Sequence, residues 1–117
     1  MKLSEIRDIL KAEVLTGDDQ LSKTIVAGGG ADIMDAFLSA VAKDAVVLTG
    51  VTTEQVVQTA KIAEVGAVVF VRGQKPSPGV INQATGFGLP LLVTDFSMFV
   101  SIGKLYMNGL RGLDGSW

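Results

Sequence analysis

At 117 residues, with 48% hydrophobic and 19% charged residues, the chain is long enough for one globular domain and too apolar for a disordered segment. The formal net charge is −2 and the ten Lys and Arg residues are scattered, which argues against binding to nucleic acid or to an anionic membrane surface. The sequence contains no cysteine and no histidine, so disulfides, thiolate chemistry and the commonest transition-metal ligands are excluded.

The start of the chain predicts a short helix, a strand and a turn. Ser4 is positioned to cap a helix whose apolar face would comprise Ile6, Ile9 and Leu10. Residues 13–15 indicate a strand, and the Gly-Asp-Asp sequence at 17–19 indicates the turn that ends it. The charged side chains of this opening segment argue against a signal peptide, and no apolar run approaches a membrane span, so we expect a cytoplasmic protein.

The next segment predicts a strand at 24–27 that runs into three glycines at 28–30. These glycines match neither a Walker loop nor a G-x-G-x-x-G fingerprint, and they predict a strand-to-helix turn that lets the chain approach a neighbour closely. Asp32 is expected to cap the following helix and Asp35 to be a first-turn acid, with a metal-binding pair as the alternative. The apolar face of that helix would comprise Ile33, Met34, Phe37, Leu38 and Val41.

The second half of the sequence repeats a strand followed by a helix three times. The predicted strands are 45–48, 67–71 and 89–93, and the predicted helices are 53–64, 79–85 and 97–108. Continuous apolar strands between helices are typical of a parallel sheet that is buried on both faces. We therefore predict a single three-layer α/β domain with a mostly parallel central sheet and helices on both faces. It would cover residues 1–108, followed by a glycine-rich tail at 109–117.

Capping signals accompany these helices. Thr52 and Gln55 fit a capping box, and Gly66 stands where a glycine C-cap is expected. In the last helix an apolar stripe repeats at helical spacing, and Gly109 closes it. The stripe comprises Met98, Ile102, Leu105 and Tyr106.

Four stretches share a pattern of small, apolar and capping residues. They are MKLSEIRDILKAEVLTGDDQL at the start, TIVAGGGADIMDAFLSAV at 24–41, VVLTGVTTEQVVQTAKIAEVGAVVFVRGQKP at 46–76 and LPLLVTDFSMFVSIGKLY at 89–106. This pattern resembles the DRTGG domain family over about residues 1–108. The letters that name the family are not present as a string; Leu48-Thr49-Gly50 is the nearest piece, and Val51 replaces the second glycine.

The resemblance implies a fold similar to the N-terminal domain of HPr kinase. DRTGG domains occur as accessory parts of larger proteins, between paired CBS domains in some inorganic pyrophosphatases and ahead of the catalytic part of some phosphotransacetylases. What the resemblance implies for function is therefore a stand-alone, non-enzymatic regulatory module. It would form a homodimer, regulate or scaffold a partner enzyme, and need no cofactor.

Three loops follow the predicted parallel strands at their carboxyl ends, where open α/β sheets bind ligands. They supply six candidate ligand-binding residues, namely Thr49, Gly50, Thr52, Arg72, Lys75 and Asp95. The turn at 49–52 precedes a helix N-terminus, which attracts anions, and Arg72 and Lys75 could supply countercharge. An alternative function is therefore a sensor of an anionic small molecule, either a nucleotide or a phosphorylated metabolite. In the competing interpretation these residues are only caps and turns, and Arg72 pairs with Asp95.

An enzymatic function ranks last. Serines that could be considered as nucleophiles are Ser22, Ser39, Ser77, Ser97 and Ser101. No histidine can serve them as a base and no G-x-S-x-G elbow is present, although a Ser–Lys or carboxylate mechanism remains formally open. Met34, Met98, Phe99 and Tyr106 are most simply core residues. Surplus apolar residues could alternatively form a dimer patch.

Overall fold

A five-stranded mixed β-sheet forms the centre of the computed structural model, which describes residues 1–32 and 42–113. The strands are β1 (Glu13–Thr16), β2 (Gly28–Gly30), β3 (Val46–Thr49), β4 (Ala67–Phe70) and β5 (Leu91–Val93). Their order in the sheet is β1-β5-β4-β3-β2. Strands β2 to β5 are mutually parallel, and β1 lies antiparallel to β5 at one edge.

Helices cover both faces of this sheet. They are α1 (Leu3–Leu10), α2 (Glu54–Ile62), α3 (Pro78–Phe87) and α4 (Met98–Met107), and a short 3₁₀ helix spans Asp18–Gln20. The longest of them has ten residues. Within the described ranges, no helix has the length and apolar character needed to cross a membrane. The predicted three-layer α/β architecture is confirmed.

Alternate residues of the strands build two separate cores, because successive side chains of a strand point to opposite faces. On one face Val47, Val68 and Leu91 pack with α2 and α3. On the other, Val46, Val69 and Leu92 pack with α1 and α4. Both faces are covered by helices, so apolar side chains are favoured on both sides of the strands, which explains the continuous apolar runs in the sequence. Thr49, the last residue of β3, is the buried polar exception.

The first helix begins earlier than its capping signal predicts. Lys2 is the N-cap and Leu3 is already helical, so the assignment of Ser4 as the cap was wrong. The backbone N–H of Leu3 donates to the Lys23 carbonyl (2.9 Å), and Lys2 forms a bridge with Thr24. This long-range pairing sets the start of the helix, and the Glu5 carboxylate accepts from the Lys2 backbone N–H (2.9 Å).

The three glycines form a strand rather than the predicted turn. Residues 24–27 contain no extended strand, and Gly28–Gly30 pairs with β3 in parallel. A Cβ at Gly28 would lie 2.7 Å from Leu110 Cδ2, and one at Gly29 would lie 2.6 Å from Leu113 Cδ1. The glycines therefore let the segment after α4 lie directly on the edge strand, as the predicted close approach required. The predicted domain boundary at residue 108 stays a prediction.

Two more of the predicted helix caps were wrong and one is confirmed. The N-cap of α2 is Thr53, without a side-chain capping bond, so Thr52 and Gln55 form no capping box. Glu64 takes the left-handed conformation (φ +56°) that was expected of Gly66. Gly109 (φ +105°) does end α4: its N–H donates to Tyr106 (3.0 Å), and the next N–H donates to Leu105 (3.1 Å), as in a Schellman motif. The helix predicted after Asp32, with Asp35 and its apolar face, lies outside the described residues.

We expect Gly17→Ala to lower the free energy of unfolding by about 2 kcal/mol, because an L-residue is strained in the left-handed region. Gly17 has φ +89°, and a Cβ there would lie 2.7 Å from the backbone Cα of Pro90. Gly86→Ala is the matched control: Gly86 is helical with open space around its Cβ position, so the change should stabilise by about 0.5–1 kcal/mol. Urea unfolding measures both. Equal effects of the two substitutions would contradict the prediction.

Candidate functional site

The carboxyl ends of the parallel strands meet at one rim and enclose an open cleft of about 270 Å³. Residues of four loops line it: Asp32, Gly50, Val71, Arg72, Ser97, Met98 and Phe99. Asp32 follows β2, Gly50 follows β3, and Val71 and Arg72 follow β4. Ser97, Met98 and Phe99 begin α4. This is the place at which open α/β sheets bind ligands.

A hydrogen-bonded corner joins the ends of β2 and β3. The Gly50 backbone N–H donates to Asp32 Oδ1 (2.8 Å), and Thr49 Oγ1 donates to the same oxygen (3.4 Å). Thr49 is fully buried, and its hydroxyl oxygen accepts from the Val51 N–H (3.1 Å). The Asp32 carboxylate is therefore fixed at the rim. From the sequence, Asp32 was expected to be a helix cap, with a metal-binding pair with Asp35 as the alternative, although a position directly after a strand also indicates the rim.

Arg72 is held in a strained backbone conformation at the end of β4. Its φ of +57° lies in the left-handed region, which costs a non-glycine residue about 1–2 kcal/mol. Two hydrogen bonds to the β5–α4 loop hold it there: the Arg72 N–H donates to the Phe96 carbonyl (2.9 Å) and the Gly73 N–H to the Thr94 carbonyl (2.8 Å). Strain of this kind is a feature of binding and catalytic sites.

The guanidinium of Arg72 and the carboxylate of Asp32 approach the same point above Gly50. A Cβ at Gly50 would lie 2.9 Å from Arg72 Nη2 and 3.4 Å from Asp32 Oδ1. Among residues 1–32 and 42–113, Arg72 forms no ion pair, so the alternative in which it pairs with Asp95 was wrong. The cleft thus presents one cation and one anion, both exposed to solvent and close together.

The structure separates the six candidate residues into two groups. Gly50 and Arg72 line the cleft, and Thr49 supports it from below. The other three do not line it. Lys75 Nζ instead pairs with a Glu13 carboxylate oxygen (3.1 Å) on the edge strand β1, Asp95 lies beside Gly73, and Thr52 precedes α2. That any of the six binds a ligand stays a prediction.

The start of α4 contributes a helix N-terminus to the cleft. Ser97 is the N-cap, and its Oγ accepts from the Val100 N–H (3.2 Å). Ser97, Met98 and Phe99 line the cleft, so the end of α4 that carries the positive end of the helix dipole borders it. Within the described part of the chain, no cluster of three or more acidic side chains could hold a metal ion.

The remainder of α4 presents an apolar surface to solvent, which we call the outward face of α4. It comprises Phe99, Val100, Ile102, Tyr106 and Met107. Phe99 is 89% exposed and Met107 86%, so the expectation that Phe99 and Tyr106 are core residues was wrong. The sheet buries only the row of Ser101 and Leu105, with Met98 packed beside it, so the apolar sequence of this helix exceeds what the core requires.

Comparisons with known proteins connect this fold to a family. A family model described as the DRTGG domain matches residues 5–106. A crystal structure of the CBS and DRTGG domains of the regulatory region of Clostridium perfringens pyrophosphatase, complexed with its activator diadenosine tetraphosphate, has a TM-score of 0.74 at 15% identity. The alignment covers 89% of this chain and 45% of that one, so the chain spans less than half of its length. No curated protein matches the chain.

We expect Arg72→Gly to be more stable than Arg72→Ala by about 1 kcal/mol, since only glycine relieves the left-handed strain. Both variants lack the guanidinium, so the difference between their free energies of unfolding reports the cost of the left-handed backbone conformation at position 72. Urea unfolding of the two proteins measures it. If the alanine variant is equally stable or more stable, the backbone of Arg72 is not strained.

Proposed function

Because the chain belongs to the DRTGG domain family, we propose that it is a regulatory module that self-associates through the outward face of α4 and controls a partner enzyme. The observation that carries this proposal is the exposure of five large apolar side chains on one ten-residue helix. A cytoplasmic location, which the sequence predicts, is part of the same proposal.

The chemistry of the outward face supports contact with a second copy of the chain. Lys104 is the single charged residue of α4, and from outside the helix the guanidinium of Arg111 lies over the Tyr106 ring, 4.4 Å from its centroid. The surface formed by Phe99, Ile102 and Met107 is apolar. Gly103 lies within it with open space at its Cβ position, which allows a neighbouring backbone to come close. Exposed apolar patches of this kind mark interaction sites.

A shallow apolar cavity next to the outward face offers further interface. It measures about 120 Å³ and lies between the glycines of β2 and the α4 residues Ile102 and Tyr106. In a two-fold dimer the same patch meets itself, so a side chain of one copy can fill the cavity of the other. The patch and the cavity together supply the packed apolar centre that a stable interface of about 800 Å² per partner needs.

We expect Met107→Asp to raise the dimer dissociation constant by roughly tenfold or more, because it buries a carboxylate in an apolar interface. Ile62→Asp is the matched control: Ile62 is 72% exposed on α2, far from the patch in sequence, and should leave self-association unchanged. Sedimentation velocity at several concentrations measures both variants. A wild-type chain that stays monomeric at tens of micromolar would remove the dimer from the proposal.

A second candidate function is the sensing of an anionic small molecule, a nucleotide or a phosphorylated metabolite, in the rim cleft. The observation that favours it is Arg72, which lines the cleft without an ion-pair partner among the described residues and is held there against backbone strain. The N-terminus of α4 borders the same cleft, and the free N–H groups of a helix N-terminus bind anions.

For this function, a thermal-shift screen with nucleotides and phosphorylated metabolites should identify a stabilising ligand. A ligand at about one hundred times its Kd stabilises the native state by about 2.7 kcal/mol. Arg72→Ala should abolish the shift. Lys43→Ala, which removes an exposed lysine beside Glu64 (3.9 Å), should retain it. If the ligand still raises the melting temperature of Arg72→Ala, it binds outside the rim cleft. If no ligand at millimolar concentration raises the melting temperature of the wild-type chain, the sensing function is contradicted.

A further inference from the structure

We propose that Asp32 makes the rim cleft selective for phosphate esters that carry a hydroxyl group close to the phosphate, and that it disfavours bare inorganic phosphate. The proposal rests on the ligand-sensing function of the cleft and specifies the class of ligand. It assigns two recognition roles, with Arg72 contacting the phosphate and Asp32 accepting a hydrogen bond from the hydroxyl group.

The first argument is the position of the two charges. Both Arg72 Nη2 and Asp32 Oδ1 lie within van der Waals reach of the position that a Gly50 side chain would occupy. They form no ion pair with each other, although both lie within 3.4 Å of that one point. Glycine at position 50 leaves the space open, and a ligand group that enters it meets a cation on one side and an anion on the other.

The second argument is electrostatic. A phosphate bound to Arg72 is within a few ångströms of the Asp32 carboxylate, which repels it and offsets part of the attraction by the guanidinium. Both side chains are exposed, so solvent screens the repulsion without removing it. A hydroxyl group between the phosphate and Asp32 converts this repulsion into a charge-assisted hydrogen bond.

The third argument is that Asp32 is fixed and cannot turn away freely. Its Oδ1 accepts from the Gly50 N–H at 2.8 Å and from the Thr49 hydroxyl at 3.4 Å. Thr49 is fully buried and therefore rigid. The carboxylate is preorganised at the edge of the cleft, which lowers the entropy cost of binding a hydroxyl group there.

Nucleotides and sugar phosphates both carry a hydroxyl group close to a phosphate. They differ in the base, which only nucleotides could stack on the ring of Phe99. Its ring lines the cleft and is 89% exposed, so it offers a surface on which a base can stack. Tighter binding of adenosine 5′-monophosphate than of ribose 5-phosphate would identify nucleotides as the ligand class. Equal binding would identify sugar phosphates.

The test compares the wild-type chain with Asp32→Asn, which keeps an oxygen to accept from Gly50 but removes the charge. Isothermal titration at low salt uses adenosine 5′-monophosphate, ribose 5-phosphate and inorganic phosphate as probes. We expect wild type to prefer the better ester over inorganic phosphate by roughly tenfold, and Asp32→Asn to reduce that preference to roughly threefold or less. Circular dichroism confirms that the variant is folded.

The possible failures are distinguishable. If wild type binds inorganic phosphate as tightly as the esters, with loss of binding in Arg72→Ala, the cleft senses anions but the selectivity proposed for Asp32 is overturned. An ester preference that Asp32→Asn leaves unchanged also overturns it. If none of the three probes binds wild type, both the selectivity and the sensing function for this class are overturned.

Discussion

The burial of the parallel strands on both faces is the constraint on which the rest of this structure depends. Strands β3, β4 and β5 have helices above and below them, so their side chains are apolar except for Thr49 at the carboxyl end of β3. Polar chemistry is therefore displaced from the sheet to the loops at its two ends. At the carboxyl ends this displacement gathers Asp32, Gly50 and Arg72, together with the start of α4, into a single cleft.

The same constraint explains which parts of the fold could be predicted. Strands β3 to β5 and helices α2 to α4 carry their periodicity locally, and the sequence located each of them to within a few residues. The glycine strand β2 has no side chains and no local signal; it is a strand because it pairs in parallel with β3, and Leu110 and Leu113 lie where side chains would otherwise stand. Likewise, the start of α1 depends on the bridge between Lys2 and Thr24, which residues near the helix cannot reveal.

The rim could be predicted from the sequence as a location, and ligand binding by any of the six candidate residues stays a prediction. The rim follows from strand order alone, and it includes Gly50 and Arg72 as expected. Lys75 was misplaced because its partner Glu13 is on a strand from the other end of the chain. Asp32 and Phe99 were missed, the first because capping explained it and the second because an aromatic residue in an apolar helix favours the core. Membership of the DRTGG family, inferred from patterns of small and apolar residues, is confirmed over residues 5–106.

Phe99 stands at the one position where the cleft and the outward face of α4 coincide. In the two proposals, a ligand in the cleft would contact the Phe99 ring, and a second copy of the chain would cover the same ring. Ligand binding and dimerisation would therefore be linked by a coupling free energy. Thermodynamic reciprocity then applies: the factor by which a ligand changes the dimerisation constant equals the factor by which dimerisation changes ligand affinity. Under the two proposed functions, Phe99 alone would couple dimerisation to ligand binding, so the concentration of the chain and the concentration of the ligand would each influence the other equilibrium.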